Sequence, residues 1–340
     1  MENDLTILDD KYILKEIISQ TKNSKIYIGS LVSDPLNQII IKLFKDKNIS
    51  EDSFLTNVKM IRLLNNPNIT KLLKGGKGVI QSPKQNSKNL FYLIEEYNEK
   101  GQLFDYISLY KKGLGEKISK FLFIQIISGL EYYTSQGLFF NIIKFDNILL
   151  DKDYKIKITD VILENIKIKR NLDLDNSDLA TLLFSLVTGR DPKIKVRGIT
   201  KKKLEKFWIS VKLIIKEENL SKEFINLFNK ILLNDFNYQN LFLDEDIIED
   251  NYYKRIINDP WFEGIKIGDV LSNYNNCYDF VKKEFQLRYE SIKQMNNYEI
   301  HLPINDSFSL DDEGINNLYL GNVPSLDYNF ILQKIHSEHN

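Results

Sequence analysis

The spacing of apolar and polar positions divides the chain into a strand-rich beginning and a helix-rich remainder. Residues 13–18 and 25–29 are apolar runs flanking a polar turn, and 38–44 follows a loop containing Pro35. Their length and turn chemistry predict three strands. Residues 51–65 place Val58, Ile61 and Leu64 three apart, one apolar helix face. Residues 69–97 predict two more strands around a Lys/Gly/Ser-rich loop at 74–89. A long buried helix is predicted over 118–136, with Phe121, Ile124, Gln125, Leu130 and Tyr133 inward. Next, the apolar runs 141–143 and 148–150 bracket a polar turn, Lys144-Phe145-Asp146-Asn147. Residues 155–160 then alternate polar and apolar, the period of a half-buried strand. A single amphipathic helix is predicted over 267–296, with Val270, Tyr274, Tyr278, Val281 and Phe285 in a stripe. Residues 297–340 lack periodicity, contain Pro303 and Pro324, and read as a docked or disordered tail.

Composition adds mainly exclusions. At 340 residues and 43% hydrophobic content, the chain suits two packed lobes plus a tail. Lys plus Arg (46) nearly cancels Asp plus Glu (47), so no net field points to nucleic acid or a membrane surface. One cysteine, Cys277, excludes an intramolecular disulfide and a Cys-based zinc site. Two of the three histidines fall in the last five residues, against a His metal cluster. No apolar run reaches 18 residues, and the first ten residues are acidic, without signal-peptide form. The expectation is an intracellular, cytoplasmic protein with no membrane span.

The order of these elements resembles the eukaryotic protein kinases, closest in style to the calcium/calmodulin-dependent and AMP-activated-like serine/threonine branches. Lys42 ends the third strand where the family keeps the Lys of VAIK. Asn66-Pro67-Asn68-Ile69 resembles the phrase that follows the small-lobe helix, and 90–97 resembles the strand leading to the hinge. The stretch 137–160 resembles the catalytic loop, hairpin and metal motif, with Lys144, Asn147 and Asp160 at the family's phosphate and metal positions. The resemblance covers about 11–264. It implies an α+β, two-lobed kinase-like fold with a small β-sheet lobe carrying one helix and a large, mainly helical lobe. The expected divisions are an extension at 1–10, the small lobe at 11–97, the large lobe at 98–264, a C-terminal helix at 265–296 and the tail at 297–340. The C-terminal helix has two readings: packing on its own large lobe, the blander one, or a partner-binding or autoinhibitory helix.

The chain departs from the family where the family does chemistry. HRD reads Phe140-Asn141-Ile142, so the base position is Ile142, and DFG reads Asp160-Val161-Ile162. Ser19, Thr21 and Ser24 occupy the phosphate-loop glycine positions, and Ile40 replaces the small Ala of VAIK. Asn57 stands where the family keeps the Glu that pairs with the strand-three Lys. Glu95 falls at the gatekeeper position, where a buried carboxylate needs a partner, and Lys42 is the candidate. The interval from Asp160 to Asp175, the residue matched to the start of the next large helix, is 15 residues, with no APE-like triplet. Packing positions persist: Phe140, Val161 and Ile61 match the family's hydrophobic column. The implied function is a pseudokinase, with no catalytic residue, regulating a protein partner such as an active kinase. The alternative is a residual phosphotransferase or nucleotidyl transferase using Lys42, Asn147 and Asp160, with ATP and Mg or Mn. On either reading Lys42, Lys144 and Asn147 are the vestigial nucleotide positions, and Asn147 and Asp160 the vestigial metal pair. Asp146 as a replacement base is disfavoured, because its family counterpart faces the peptide.

Overall fold

Six antiparallel strands of the computed structural model close into a barrel. They are β1 (Thr6–Leu8), β2 (Tyr12–Gln20), β3 (Ser24–Leu31), β4 (Asp34–Phe44), β5 (Leu72–Ser82) and β6 (Gln85–Glu96). That number refers to the described residues, which are 6–21, 24–44, 50–82, 85–108, 113–136, 145–159, 172–190, 201–232, 252–272 and 276–296. The spatial order is β1-β2-β3-β4-β6-β5, and closure comes from β1, which pairs with β2 and with β5 (Ile7 opposite Gln81). Thr6–Leu8 was expected in an extension and is instead the closing strand, so the barrel leaves no open sheet edge. The interior is filled by Leu8, Tyr12, Leu14, Ile39, Ile41, Leu43, Tyr92 and Ile94. Helix α1 (Glu51–Arg62), capped at its start by Ser50, lies outside. It packs Phe54, Val58 and Ile61 on Leu72, Phe91 and Leu93.

The segment 74–89, expected as a loop, is largely strand. Residues 74–82 belong to β5 and 85–89 to β6, a long hairpin. Its glycines read as loop punctuation, but two of them serve close packing. A Cβ on Gly75 would sit 2.7 Å from a Leu93 methyl and 2.9 Å from Val58. One on Gly78 would sit 2.6 Å from the Asp9 carboxylate. Asp9 also accepts the Val79 N–H at 2.8 Å.

The described residues sort into two compact units. The first holds the barrel, α1 and a small hairpin, β7 (Ile148–Leu150) with β8 (Ile156–Ile158). The sequence divisions put this hairpin in the large lobe. Main-chain bonds join it to the first unit: Thr70 N to Ile158 O at 2.9 Å, Ile158 N to Asn68 O at 2.8 Å, and Leu103 N to Ile148 O at 2.9 Å.

The second unit holds α2 (Asp105–Ser108), α3 (Gly115–Ser135), α4 (Leu172–Thr188), α5 (Lys201–Glu217), α6 (Lys222–Leu232), α7 (Ile267–Ser272) and α8 (Asp279–Asn296). Glu116 ties three of its segments together. Its carboxylate accepts Ser221 N at 2.7 Å, Ser221 Oγ at 2.6 Å and Trp261 Nε1 at 2.7 Å. The single helix expected over 267–296 is two, α7 and α8. Asn276 has φ of 55°, which a right-handed helix does not contain.

Helix α8 packs on α2 and α3 of its own unit. Phe285 meets Tyr106 edge-on at 5.1 Å, and Phe280 meets Phe121 at 4.8 Å. Arg288, 3% exposed, donates to Tyr106 O at 3.2 Å, Gly113 O at 2.7 Å and Glu284 at 2.8 Å. The planar fork serves several acceptors that one ammonium cannot. Arg288→Lys is expected to cost about 1–3 kcal/mol, read as a lowered midpoint in urea. The tail at 297–340 lies outside the described residues.

Candidate functional site

Lys42 stands near the end of β4, the strand shared by β3 and β6. Its side chain is 7% exposed. A buried ammonium requires a counter-charge. Glu95, on the neighbouring strand β6, supplies it: Lys42 Nζ lies 2.9 Å from Glu95 Oε2, with the Glu95 side chain 11% exposed. Thr159 completes a triangle. Its hydroxyl accepts from Lys42 Nζ at 3.0 Å and donates to Glu95 Oε2 at 2.9 Å. The expected Lys42–Glu95 partnership is therefore present. Asn57 lies on the buried face of α1, beside Phe54 and Val58.

Thr159 was not singled out in the sequence. The alternation over 155–160 placed it on the polar side with Lys155 and Lys157. Strand β8 ends at Ile158, and the chain then turns Thr159 inward, to 7% exposure. Thr159 N donates to Asn147 O at 2.9 Å, so Asn147 sits beside the end of β8 in the short helix Phe145–Asn147. Lys144, Ile142 and Asp160 lie outside the described residues, as do Phe140 and Val161.

The β2–β3 turn, where phosphate-loop glycines were sought, is tied up internally. Thr21 N donates to Ser24 O at 2.9 Å, and Ser24 N donates to Thr21 Oγ1 at 3.0 Å. The two hydroxyls meet at 2.8 Å. A glycine loop offers such N–H groups to phosphate, whereas these two already have partners. Ile40 is buried, opposite Glu95 in the β4–β6 register.

These residues do not fit a nucleotide polyphosphate as they stand. Among the described residues the ammonium at a phosphate position, Lys42, is paired with Glu95, whose carboxylate repels further negative charge. Among the described residues no group of three or more His, Cys, Asp or Glu side chains could hold a metal ion.

A second carboxylate stands out in the helical unit. Asp105, the first residue of α2, is buried at 8% exposure, and its Oδ1 has no hydrogen-bond partner among the described residues. Burial, and then the charge of Asp146, push its carboxyl up to about 7. Beside it, Phe104 and Phe145 pack with ring centroids 4.9 Å apart. No pattern in the sequence marked Asp105, because a lone Asp opening a helix reads as a solvated cap.

Comparison with known proteins agrees with this frame. The protein kinase domain family matches residues 14–167. Residues 14–167 of this chain are protein kinase-like. A calcium/calmodulin-dependent protein kinase type 1 of Macrobrachium nipponense is 29% identical over 164 residues, which cover 47% of this chain and 45% of that protein. The SNF1-related protein kinase catalytic subunit alpha KIN12 of Arabidopsis thaliana is 36% identical over 128 residues, covering 37% and 24%. The probable serine/threonine-protein kinase MARK-C of Dictyostelium discoideum is 33% identical over 144 residues, covering 42% and 18%. The matches thus span under half the length of these relatives. The kinase domain has the α+β architecture, a strand-rich unit and a helical one. No helix among the described residues is long and apolar enough to cross a membrane.

Proposed function

We propose that this kinase-like chain is a pseudokinase: a catalytically impaired module that scaffolds or regulates a protein partner, allosterically or by competition. An active kinase is the partner class that suits it. The observation that carries this reading is the buried Lys42–Glu95 pair, which occupies the cation that phosphoryl transfer requires. Ile142 at the base position removes a contribution of roughly 10²–10⁴ in rate. The self-bonded Thr21–Ser24 turn and the 15-residue interval from Asp160 to Asp175 act in the same direction. Packing is kept while polar chemistry is lost, as expected where shape rather than turnover is used.

One observation favours a second reading, a residual ATP-dependent phosphotransferase or nucleotidyl transferase. The Thr159–Asn147 main-chain bond holds Asn147 beside the end of β8, and on this reading Asn147 and Asp160 would supply oxygen ligands to Mg or Mn. A thermal-shift titration with ATP, with and without each metal, tests the two readings. The pseudokinase reading expects no metal-dependent shift accompanied by turnover. A metal-dependent shift with turnover that Asp160→Asn abolishes would replace it with the enzyme reading.

A further inference from the structure

We propose that β1 is exchanged between two copies of this chain, each lending Thr6–Leu8 to the gap between β2 and β5 of the other in a two-fold, strand-swapped dimer. The inference is independent of whether the chain transfers phosphate. Strand β1 is the piece that closes the barrel. It makes three register pairs with β2 and two with β5. Leu8 is wholly buried in the barrel core. Asp9 extends the seam: its N–H donates to Val79 O at 3.0 Å, and its carboxylate accepts the Val79 N–H at 2.8 Å. The same residues arriving from a second copy make the same contacts, so the dimer needs no new surface.

The turn into β2 supplies the driving force. Lys11 N donates to Leu8 O at 3.1 Å and closes a tight turn, with φ of 52° at Asp9 and 54° at Asp10. Positive φ at two successive positions is a form in which glycine ordinarily takes the second place, because a Cβ crowds the backbone there. Asp10 has that Cβ, and it is exposed. Straightening Asp10 releases the strain and carries β1 away from its own barrel. Lys11 O accepts the Val32 N–H at 2.8 Å, which keeps the start of β2 in place while β1 leaves. Short strained hinges favour exchange over closure within one chain. Departure of β1 leaves β2 and β5 as open sheet edges, which pair with an offered strand. A second copy offers the one whose Leu8 and Asp9 fit. The exchange is reciprocal, so it closes on itself rather than growing into a fibre.

Ile7 and Gln81 face each other across the seam. Opposed positions on antiparallel strands lie within reach of a disulfide. The test uses the full chain with Ile7→Cys and Gln81→Cys, and with Cys277→Ser to remove its natural thiol. It is held at about 1–200 μM under reducing conditions, oxidised with copper phenanthroline and run on a non-reducing gel. A closed monomer links within one chain, whereas exchange links two. The swap predicts a covalent dimer whose share rises with concentration and which is absent when Ile7→Cys is made without Gln81→Cys. Links within single chains at every concentration, or a dimer formed equally by the one-cysteine chain, overturn it. Asp10 gives a second readout without added thiols. Asp10→Gly accommodates the turn and should weaken dimerisation about tenfold or more, with two hinges per dimer. Asp10→Val puts a β-branched residue at positive φ and should strengthen it by about the same factor. Light scattering over the same concentrations compares both with the natural chain. Monomers throughout, or a dimer that the Asp10 variants leave unchanged, contradict the exchange.

Discussion

Replacing Lys42 with Met should unfold this protein more readily, by about 3–5 kcal/mol. Lys42 is the counter-charge of Glu95, whose side chain is 11% exposed. Removing it leaves a buried carboxylate opposite Ile40 and Leu72 in the sheet, with the Thr159 hydroxyl as its donor among the described residues. A lost buried partner costs far more than a lost surface ion pair, because desolvation of the remaining charge is uncompensated. The melting temperature should fall on the order of 10 °C for a unit of this size. The double variant Lys42→Met/Glu95→Leu removes both charges. It should recover most of the loss, falling short by about 1 kcal/mol for the Thr159 hydroxyl left without its acceptor. Urea denaturation of the natural chain, both single variants and the double one closes the cycle. A Lys42→Met chain as stable as the natural one would show that the pair is solvated rather than buried.

Asp105 should produce the next largest effect, with the opposite sign. Its folded-state carboxyl is raised to about 7 from the ordinary 3.8. Over that window the folded chain holds a proton that the unfolded chain has released. Stability is therefore greatest below about pH 4, falls as pH rises towards 7, and is level above. The span corresponds to at most about 4 kcal/mol. Asp105→Asn imitates the protonated form without adding charge or volume. At pH 8 it should be more stable than the natural chain by about 2–4 kcal/mol, while at pH 4 the two should nearly coincide. Melting both proteins across pH 4–8 checks this. Equal stability at pH 8, or a destabilised Asn variant there, would place Asp105 in contact with a positive group or with water. Asp146 contributes less than burial to the shift, so Asp146→Asn should move the same curve in the same direction by less.

The sequence made the frame legible because hydrophobic period and turn chemistry are local. Strands β2 to β4, helix α1 and helix α3 stand where alternation or three-to-four spacing predicted them. The Lys42–Glu95 contact was legible for another reason: a charged residue inside an apolar strand must find a partner, and the family frame placed only one nearby. What was not legible depended on non-local closure. Nothing in Thr6–Leu8 announces pairing with Gln81, because a three-residue strand is specified by its partners. Gly75 and Gly78 read as a loop until Val58, Leu93 and Asp9 explained why no side chain fits. Thr159 was assigned to the wrong face because a period-2 argument assumes that the strand continues past Ile158. The break before α8 turned on the backbone of one residue, Asn276. Asp105 became notable only through the burial of α2.

If this kinase-like chain has shed phosphoryl transfer, as proposed, it should not transfer labelled γ-phosphate from ATP. The full chain is incubated with Mg or Mn and a mixture of serine/threonine peptides, beside an Asp160→Asn preparation purified identically. The pseudokinase reading predicts the same background for both proteins. Transfer by the natural chain that is lost in Asp160→Asn would contradict it.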